Sequence, residues 1–299
     1  MNPVPASALA SAPVPAPVAA GSTLAALQMK PLLGALENRM LLCHVLALTR
    51  VQLITQSERV LSAVEAAQLS SLIGRRWNGE PMAYLVGQRE FYGLPFEVSP
   101  AVLIPRPDTE LLVDLALERL PKRGSTLDMG TGSGAIAVAL AHTRPDARVT
   151  ALDVSGAALL VARRNADLNH AIVTFIESNW YCALEHSGNN DDGEKFDVIV
   201  ANPPYIASGD SHLSQGDLPF EPLDALTDHF DGLSALRQIT QGAARHLSAR
   251  GWLLMEHGYD QAQAVRALLA EHEFSDIESW RDLAGIERVS GGRSGGRSP

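Results

Sequence analysis

Between residues 23 and 77 the apolar positions recur every three or four residues. The runs "LENRMLLCHVLAL" (36–48) and "ERVLSAVEAAQLSSLI" (58–73) carry the spacing of helices with one buried stripe, and strand signals are scarce. Ser57 stands just before the second run and is the expected N-cap of its helix. The stretch "NGEPMAYLVGQREFYGLPFEVSPAVLIPRPDTE" (78–110) then mixes short β-prone runs with turn residues, which predicts a connector carrying a hairpin.

Beyond residue 110 the pattern changes to short apolar runs alternating with helical ones. "TLDM" (126–129), "RVTALD" (148–153), "VTFIE" (173–177), "FDVIVA" (196–201) and "GWLLME" (251–256) read as strands, as do shorter runs at 277–280 and 287–290. "GAIAVALAHT" (134–143), "GAALLVARRNADLN" (156–169) and "DQAQAVRALLAEH" (260–272) read as helices. This alternation predicts an α/β fold, a mostly parallel sheet covered on both faces, beside a small N-terminal helical domain. In such sheets ligands lie at the carboxyl ends of the strands, which is where chemistry is expected. The resulting organisation is an Ala/Pro-rich disordered tail (1–22), a helical domain (23–79), the connector (80–110), a catalytic domain (111–290) and a flexible tail from "GGRSGGRSP" (291–299).

Composition changes this picture in two places. The net charge of −10 is uneven: residues 24–100 hold seven Lys/Arg against six Asp/Glu, whereas 101–299 hold 17 against 28. An acidic main body argues against a protein whose affinity comes from neutralising many phosphates, so no stable nucleic-acid partner is expected. The first twenty residues are apolar but contain no Lys or Arg and are interrupted by proline, unlike a signal peptide, and no apolar run is long enough to span a membrane. Cys43 and Cys182 have neither metal spacing nor a disulfide framework, which fits a reducing cytoplasm. His44, His170 and His257 lack metal-ligand company, and no metal is expected. Arg75–Arg76 reads as the solvated face of a helix, with an RNA-mimicking partner as the alternative.

Candidate chemistry begins at "LDMGTGSGA" (127–135). Gly130, Gly132 and Gly134 remove every second side chain from a strand-to-helix turn, so that backbone can approach a ligand closely. Asp153 ends the next strand, where a carboxylate can accept ribose hydroxyls. Loop and acid point to a nucleoside. The dinucleotide pattern G-x-G-x-x-G/A also fits, with Ala135 last, but Asp128 before the loop and Gly at alternate positions lean towards S-adenosylmethionine. Glycines that merely allow tight packing are the plainer alternative. Asp128 can equally bond loop amides, and Trp180 can either cover an adenine ring or fill the core.

"FDVIVANPPYI" (196–206) sets Asn202 at the carboxyl end of the fourth strand, level with the glycine loop. The nitrogen of an amide or aromatic amine is a poor nucleophile because its lone pair is delocalised. The side-chain oxygen of Asn202 and the backbone oxygen of Pro203 can accept its two N–H bonds, orienting it and stabilising the charge gained on attack. Pro203 and Pro204 stiffen the segment, and Tyr205 offers an aromatic face for a planar group. A strand end closed by a Pro-Pro turn, with the tyrosine packed inward, is the structural alternative.

Those stretches, with "EPLDALTDHFDGLSALRQI", "GWLLMEHGYDQAQAV" and "DLAGIERV", resemble the release-factor glutamine methyltransferases, the bacterial HemK/PrmC family. The likeness runs in order over residues 80–289. It implies a class I S-adenosylmethionine-dependent methyltransferase fold. The implied reaction moves a methyl group from S-adenosyl-L-methionine, leaving S-adenosyl-L-homocysteine. Its acceptor is the side-chain nitrogen of glutamine in the Gly-Gly-Gln motif of peptide-chain release factors, a modification that modulates translation termination. By that match the cofactor would meet Gly130, Thr131, Gly132, Ser133, Gly134, Asp153, Trp180 and Asn202. The glutamine would meet Asn202, Pro203, Pro204 and Tyr205, and the helical domain would grip the release factor. Asp108 stands where the family more often has Glu, and Ala201 where it more often has Ser. Arg106 and Glu110 are expected to form a turn-stabilising ion pair or to brace the site. Two rivals remain: a DNA adenine methyltransferase, since the same tetrapeptide can hold the amine of a flipped base, and a non-catalytic nucleotide-binding module.

Overall fold

The computed structural model describes residues 15–185 and 195–295. The chain divides into two compact units, one formed by residues 1–88 with 211–220 and the other by 89–210 with 221–299.

The first unit is helical, with helices Leu24–Met29, Ala35–Leu46, Arg50–Thr55, Ala63–Trp77 and Met82–Val86. Leu41, Leu42, Leu53, Leu69 and Ile73 form its buried core. Two capping boxes set where helices start. Thr49 and Gln52 cap each other's orphan amides at Arg50–Thr55, and Ser62 and Glu65 do so at Ala63–Trp77. The expected cap at Ser57 is therefore corrected to Ser62. The intervening residues make a turn and then a bridge, Val60 pairing with Thr23 and Leu61 N–H donating to Ser22 O (2.9 Å). The expected disordered tail is likewise shorter, since Val18 N–H donates to Ser70 Oγ (2.9 Å) and Gly21 N–H to Leu61 O (2.9 Å). Residues 1–14 of that tail lie outside the described residues. Arg76 is not on a solvated face: it is buried and paired with Glu37 (2.8 Å), while Arg75 pairs with Glu80.

In the second unit, strands β1 (Gln88–Phe91) and β2 (Leu94–Glu97) form a hairpin turning at Tyr92 and Gly93, both at positive φ (53° and 74°). Glu110 accepts the Tyr92 N–H (2.8 Å), so it holds the hairpin turn rather than an ion pair with Arg106. A seven-stranded sheet follows, made of β3 (Ser125–Met129), β4 (Arg148–Asp153), β5 (Val173–Glu177), β6 (Phe196–Ala201), β7 (Leu247–Glu256), β8 (Phe274–Arg281) and β9 (Glu287–Ser294). Their order is β5-β4-β3-β6-β7-β9-β8, parallel from β5 to β7 and antiparallel beyond. Strand order reverses at β3, so a crevice opens at the carboxyl ends of β3 and β6.

Helix Ala135–Thr143 is buried over Ala135–Ala141, as its unbroken apolar sequence demands. Among the helices of ten or more residues, Glu110–Arg119 and Ser234–His246 carry no expectation from the sequence. The expected flexible tail from residue 291 is corrected up to Ser294. Gly291 and Gly292 are buried within β9, and a Cβ on Gly291 would stand 2.5 Å from Leu253 O. These glycines admit a close strand rather than a loose end. Residues 296–299 of that tail lie outside the described residues.

Asn165, fully buried on helix Gly156–Leu168, ties three parts of this unit together. Its Oδ1 accepts Glu97 N–H (2.6 Å) and its Nδ2 donates to Ser133 O (2.8 Å) and Glu97 O (3.0 Å). Asn165→Ala strands these buried groups and is expected to cost about 2–4 kcal/mol of unfolding free energy. Denaturant melts of the two proteins check this, and a loss under about 0.5 kcal/mol contradicts it.

Candidate active site

The loop after β3 is held by its own backbone. Gly130 and Thr131 N–H both donate to Leu152 O (2.9 Å each), which clips the turn to the end of β4. Gly132 N–H donates to Asp153 Oδ2 (2.8 Å) and Ser155 N–H to Asp153 Oδ1 (2.9 Å). Each carboxylate oxygen therefore keeps lone-pair capacity for a hydroxyl. Burial pushes the Asp153 carboxyl up, and these backbone donors oppose the rise.

Gly130, Gly132, Asp153, Trp180, Asn202 and Pro204 border one cavity of about 340 Å³. Gly132 has open space where a side chain would stand, and the Trp180 ring lies 3.8 Å from the Cβ position of Gly130. Trp180 is held at φ +47°, a left-handed conformation rare for a bulky residue, with its carbonyl accepting from Ser178 Oγ (2.7 Å). The glycine cradle, the carboxylate with spare acceptors and the aromatic wall fit a nucleoside such as that of S-adenosylmethionine. Other expected residues turn inward. Thr131 Oγ1 donates to Asp128 (2.6 Å) and Ser133 is buried. Gly134, at φ +82°, brings Ala162 within 3.1 Å of its Cβ position. At Gly134 the plain packing explanation therefore holds.

The segment after β6 sits beside this cavity. Asn202 Nδ2 donates to Thr109 Oγ1 (3.2 Å), Pro203 is buried, and Tyr205 is half-buried. The chain beyond is pinned by Gln261 Nε2 donating to Tyr205 O (3.0 Å) and Ile206 N–H donating to Leu226 O (3.0 Å). Pro203 and Tyr205 are not among the residues that border the cavity.

Behind Asn202 lies a carboxylate that sequence reasoning missed. Glu256 ends β7 and is 1% exposed, and its buried Oε2 meets no hydrogen-bond donor among the described residues. Burial raises its carboxyl to about 7, partly offset by Thr109 and the facing Arg288. Burial also raises the Tyr205 phenol, helped by Glu256. The signal lay in "GWLLME", where an acid closes an otherwise apolar strand on the ligand edge. Glu221 is a second such acid: it accepts Ile104 N–H (2.9 Å) and pairs with Arg106, while Asp108 faces Arg288 at 3.8 Å.

Among the described residues no group of His, Cys, Asp and Glu could hold a metal, and both cysteines are free thiols. His257 is buried with its ring nitrogens against Gly258 O (2.9 Å) and Ser290 Oγ (2.8 Å). No helix among the described residues is long and apolar enough to cross a membrane.

Asp128 yields a test of the loop. It is wholly buried, accepts Thr131 Oγ1 and Ala137 N–H (3.2 Å), and burial raises its carboxyl from 3.8 to about 7. A raised carboxyl pKa favours folding below the unfolded value and loses that advantage as pH rises towards 7. The stability of Asp128→Asn relative to wild type is therefore expected to improve from pH 4 to pH 7, by at most about 1.4 kcal/mol per pH unit. Denaturant melts without cofactor across that range check the slope, and a flat difference contradicts it.

Comparison with known proteins follows this geometry. The model for the PrmC N-terminal domain matches residues 27–87 and that for the methyltransferase small domain matches residues 107–216. A Burkholderia pseudomallei release factor glutamine methyltransferase is 54% identical over 269 residues, covering 87% of this chain and 92% of that one. A Neisseria gonorrhoeae release factor glutamine methyltransferase is 50% identical over 261 residues, covering 87% and 94%. Among solved structures, the T. thermophilus 16S rRNA N2 G1207 methyltransferase in complex with AdoMet and guanosine shares the fold at TM-score 0.50. It is 20% identical and covers 69% of this chain and 49% of that one. The chain belongs to the release factor glutamine methyltransferase family.

Proposed function

We propose that this protein methylates the side-chain amide nitrogen of the glutamine in the Gly-Gly-Gln motif of peptide-chain release factors, using S-adenosylmethionine. The observation that carries this reading is the anchored Asn202 amide: its nitrogen is engaged by Thr109, so its oxygen remains an acceptor at the edge of a cavity suited to a nucleoside. Gly130, Gly132, Asp153 and Trp180 would hold the cofactor, which when bound supplies a methyl group on a positively charged sulfur, a good leaving group. The work left to the protein is to orient the amide nitrogen. Asn202 Oδ1 and Pro203 O accept its two N–H bonds, localise electron density on nitrogen and stabilise the charge that attack creates. Pro204 and Tyr205 confine the amide plane. No general base is needed, because the surplus proton can leave after transfer.

The helical residues 23–79 would grip the release factor, with 111–290 as the catalytic domain, and the setting would be the cytoplasm, where release factors work. Methylation of a flipped adenine would need a basic DNA face, whereas residues 101–299 hold 17 Lys/Arg against 28 Asp/Glu.

Incubation with labelled S-adenosylmethionine should label a release factor but not its Gln→Ala motif variant, and label on duplex DNA instead would overturn the proposal. Asn202→Ala should lower kcat by about 100-fold or more with an unchanged melting temperature. Normal turnover in that variant contradicts the acceptor role.

A further inference from the structure

We propose that Gln261 is a positioning residue that aims the Pro203 carbonyl at the substrate amide, by holding the Tyr205–Ile206 peptide plane just beyond the two prolines. This rests on the amide-methylation reading above and adds to it a side chain with no role there. The argument starts from what proline lacks. Neither the Asn202–Pro203 peptide nor the Pro203–Pro204 peptide carries an N–H. The plane that holds the Pro203 oxygen therefore has no donor of its own to anchor it, and its oxygen is the group the substrate needs. Its direction has to be fixed from the two sides. On the near side, β6 ends at Ala201, paired with Met129 and Met255, and Asn202 Nδ2 donates to Thr109 Oγ1 (3.2 Å). On the far side, the Tyr205–Ile206 plane is held at both of its polar ends. Its carbonyl accepts from Gln261 Nε2 (3.0 Å), and its N–H donates to Leu226 O (3.0 Å). A peptide unit is planar, so bonds at its two ends fix its orientation. Between these anchors each proline has φ set at about −65°, which leaves few torsions free. Pinned flanks and fixed φ angles together settle where the Pro203 oxygen points.

Gln261 is itself fixed. Standing directly before helix Ala262–Glu271, it accepts Gly258 N–H with Oε1 (2.8 Å), and its Nε2 donates a second time, to Gly232 O (3.2 Å). One donor and two carbonyls therefore surround the amide, and only one of its two orientations satisfies all three. Two glycines admit the close approach. A Cβ on Gly258 would stand 3.1 Å from Gln261 Oε1, and one on Gly232 would stand 2.4 Å from Tyr205 O. Gly232 belongs to a loop that is tied within itself. Asp228 Oδ1 accepts Phe230 and Gly232 N–H (2.9 Å each), and Oδ2 accepts Ser234 N–H (2.7 Å). The same loop holds the chain further on, where Ser208 N–H donates to Phe230 O (2.9 Å). Gln261 thus bridges this loop to the acceptor segment. It is not among the residues that border the cavity, so its loss leaves the cofactor's residues in place.

The test compares Gln261→Met, which keeps the length but removes the amide, with Gln261→Glu, whose carboxyl can donate through O–H only while protonated. Transfer from labelled S-adenosylmethionine to a release factor should show kcat about tenfold or more lower in the methionine variant, with the KM for S-adenosylmethionine within about threefold of wild type. Relative to wild type at each pH, kcat of the glutamate variant should approach parity towards about pH 6 and fall to the methionine level towards about pH 9. The methionine variant should stay low throughout, and a merely structural loss has no reason to reverse with pH. The glutamate variant keeps the test open if the methionine variant fails to fold. Independently of turnover, hydrogen exchange at Ile206 and Gly258 N–H should be about tenfold or more faster in Gln261→Met than in wild type, with exchange in β3 unchanged. Full turnover in Gln261→Met overturns the proposal, as does a glutamate variant no faster than the methionine one at any pH. If wild type methylates no release factor, the reading of function fails, and exchange alone then decides the anchoring: unchanged Ile206 exchange in Gln261→Met overturns it.

Discussion

Everything at the site depends on the parallel pairing of β3 with β6. Met129 lies beside Ala201 in that register, so the residues that follow each strand, the glycine turn and the Asn-Pro-Pro-Tyr segment, emerge side by side. β3 is also where strand order reverses: β4 and β5 lie to one side, and β6 and β7 to the other. Crossover connections leave the sheet in opposite directions from such a point and cannot cover its carboxyl edge. The cavity bordered by Gly132 and Asn202 is a consequence of that topology, and it brings together residues about 70 positions apart in the chain.

The same edge collects buried carboxylates. Asp128, Glu221 and Glu256 are all nearly or wholly inaccessible, which would be costly for unpaired charges. Two of them are met by named donors, Thr131 and Ala137 at Asp128 Oδ2 and Arg106 and Ile104 at Glu221, whereas Glu256 Oε2 has none among the described residues. Asp128 and Glu221 thus serve as fixed acceptors that hold two loops, the glycine turn and the segment around residues 104–106. Rigidity here has a chemical use, because acceptors that must reorganise during attack stabilise the transition state less than ones already in place.

Much of this architecture was legible in the sequence because buried parallel strands read as apolar runs, as Val198–Ala201 of β6 and Trp252–Met255 of β7 do. The glycine turn, Asp153 and Asn202 were legible because their residue types are unusual at strand ends. What was hidden depended on partners distant in the chain. Gly291 and Gly292 look like a tail until β7 is seen passing within contact of them. Ser62 was the better cap even locally, since Glu65 three residues on completes a capping box where Ser57 has Val60, and the bridge of Val60 to Thr23 agrees with it. Arg106 could be matched by sequence proximity to Glu110, yet its counter-charge is Glu221, more than a hundred residues away. Helix Ser234–His246 was legible and was passed over, since Leu236, Ile239 and Ala243 recur at helical spacing and are buried on one face.

The tetrapeptide itself shows how far residue identity goes towards function. In the proposed reading Asn, Pro, Pro and Tyr form a rigid acceptor for a planar NH2 group, a demand shared by glutamine and by the exocyclic amines of bases. They do not by themselves anchor the asparagine amide, whose nitrogen is engaged by Thr109 on another element of the same unit. Nor do they specify the molecule that carries the amide, which larger surfaces must select. Orientation of the nucleophile is thus a property of the sheet edge as a whole.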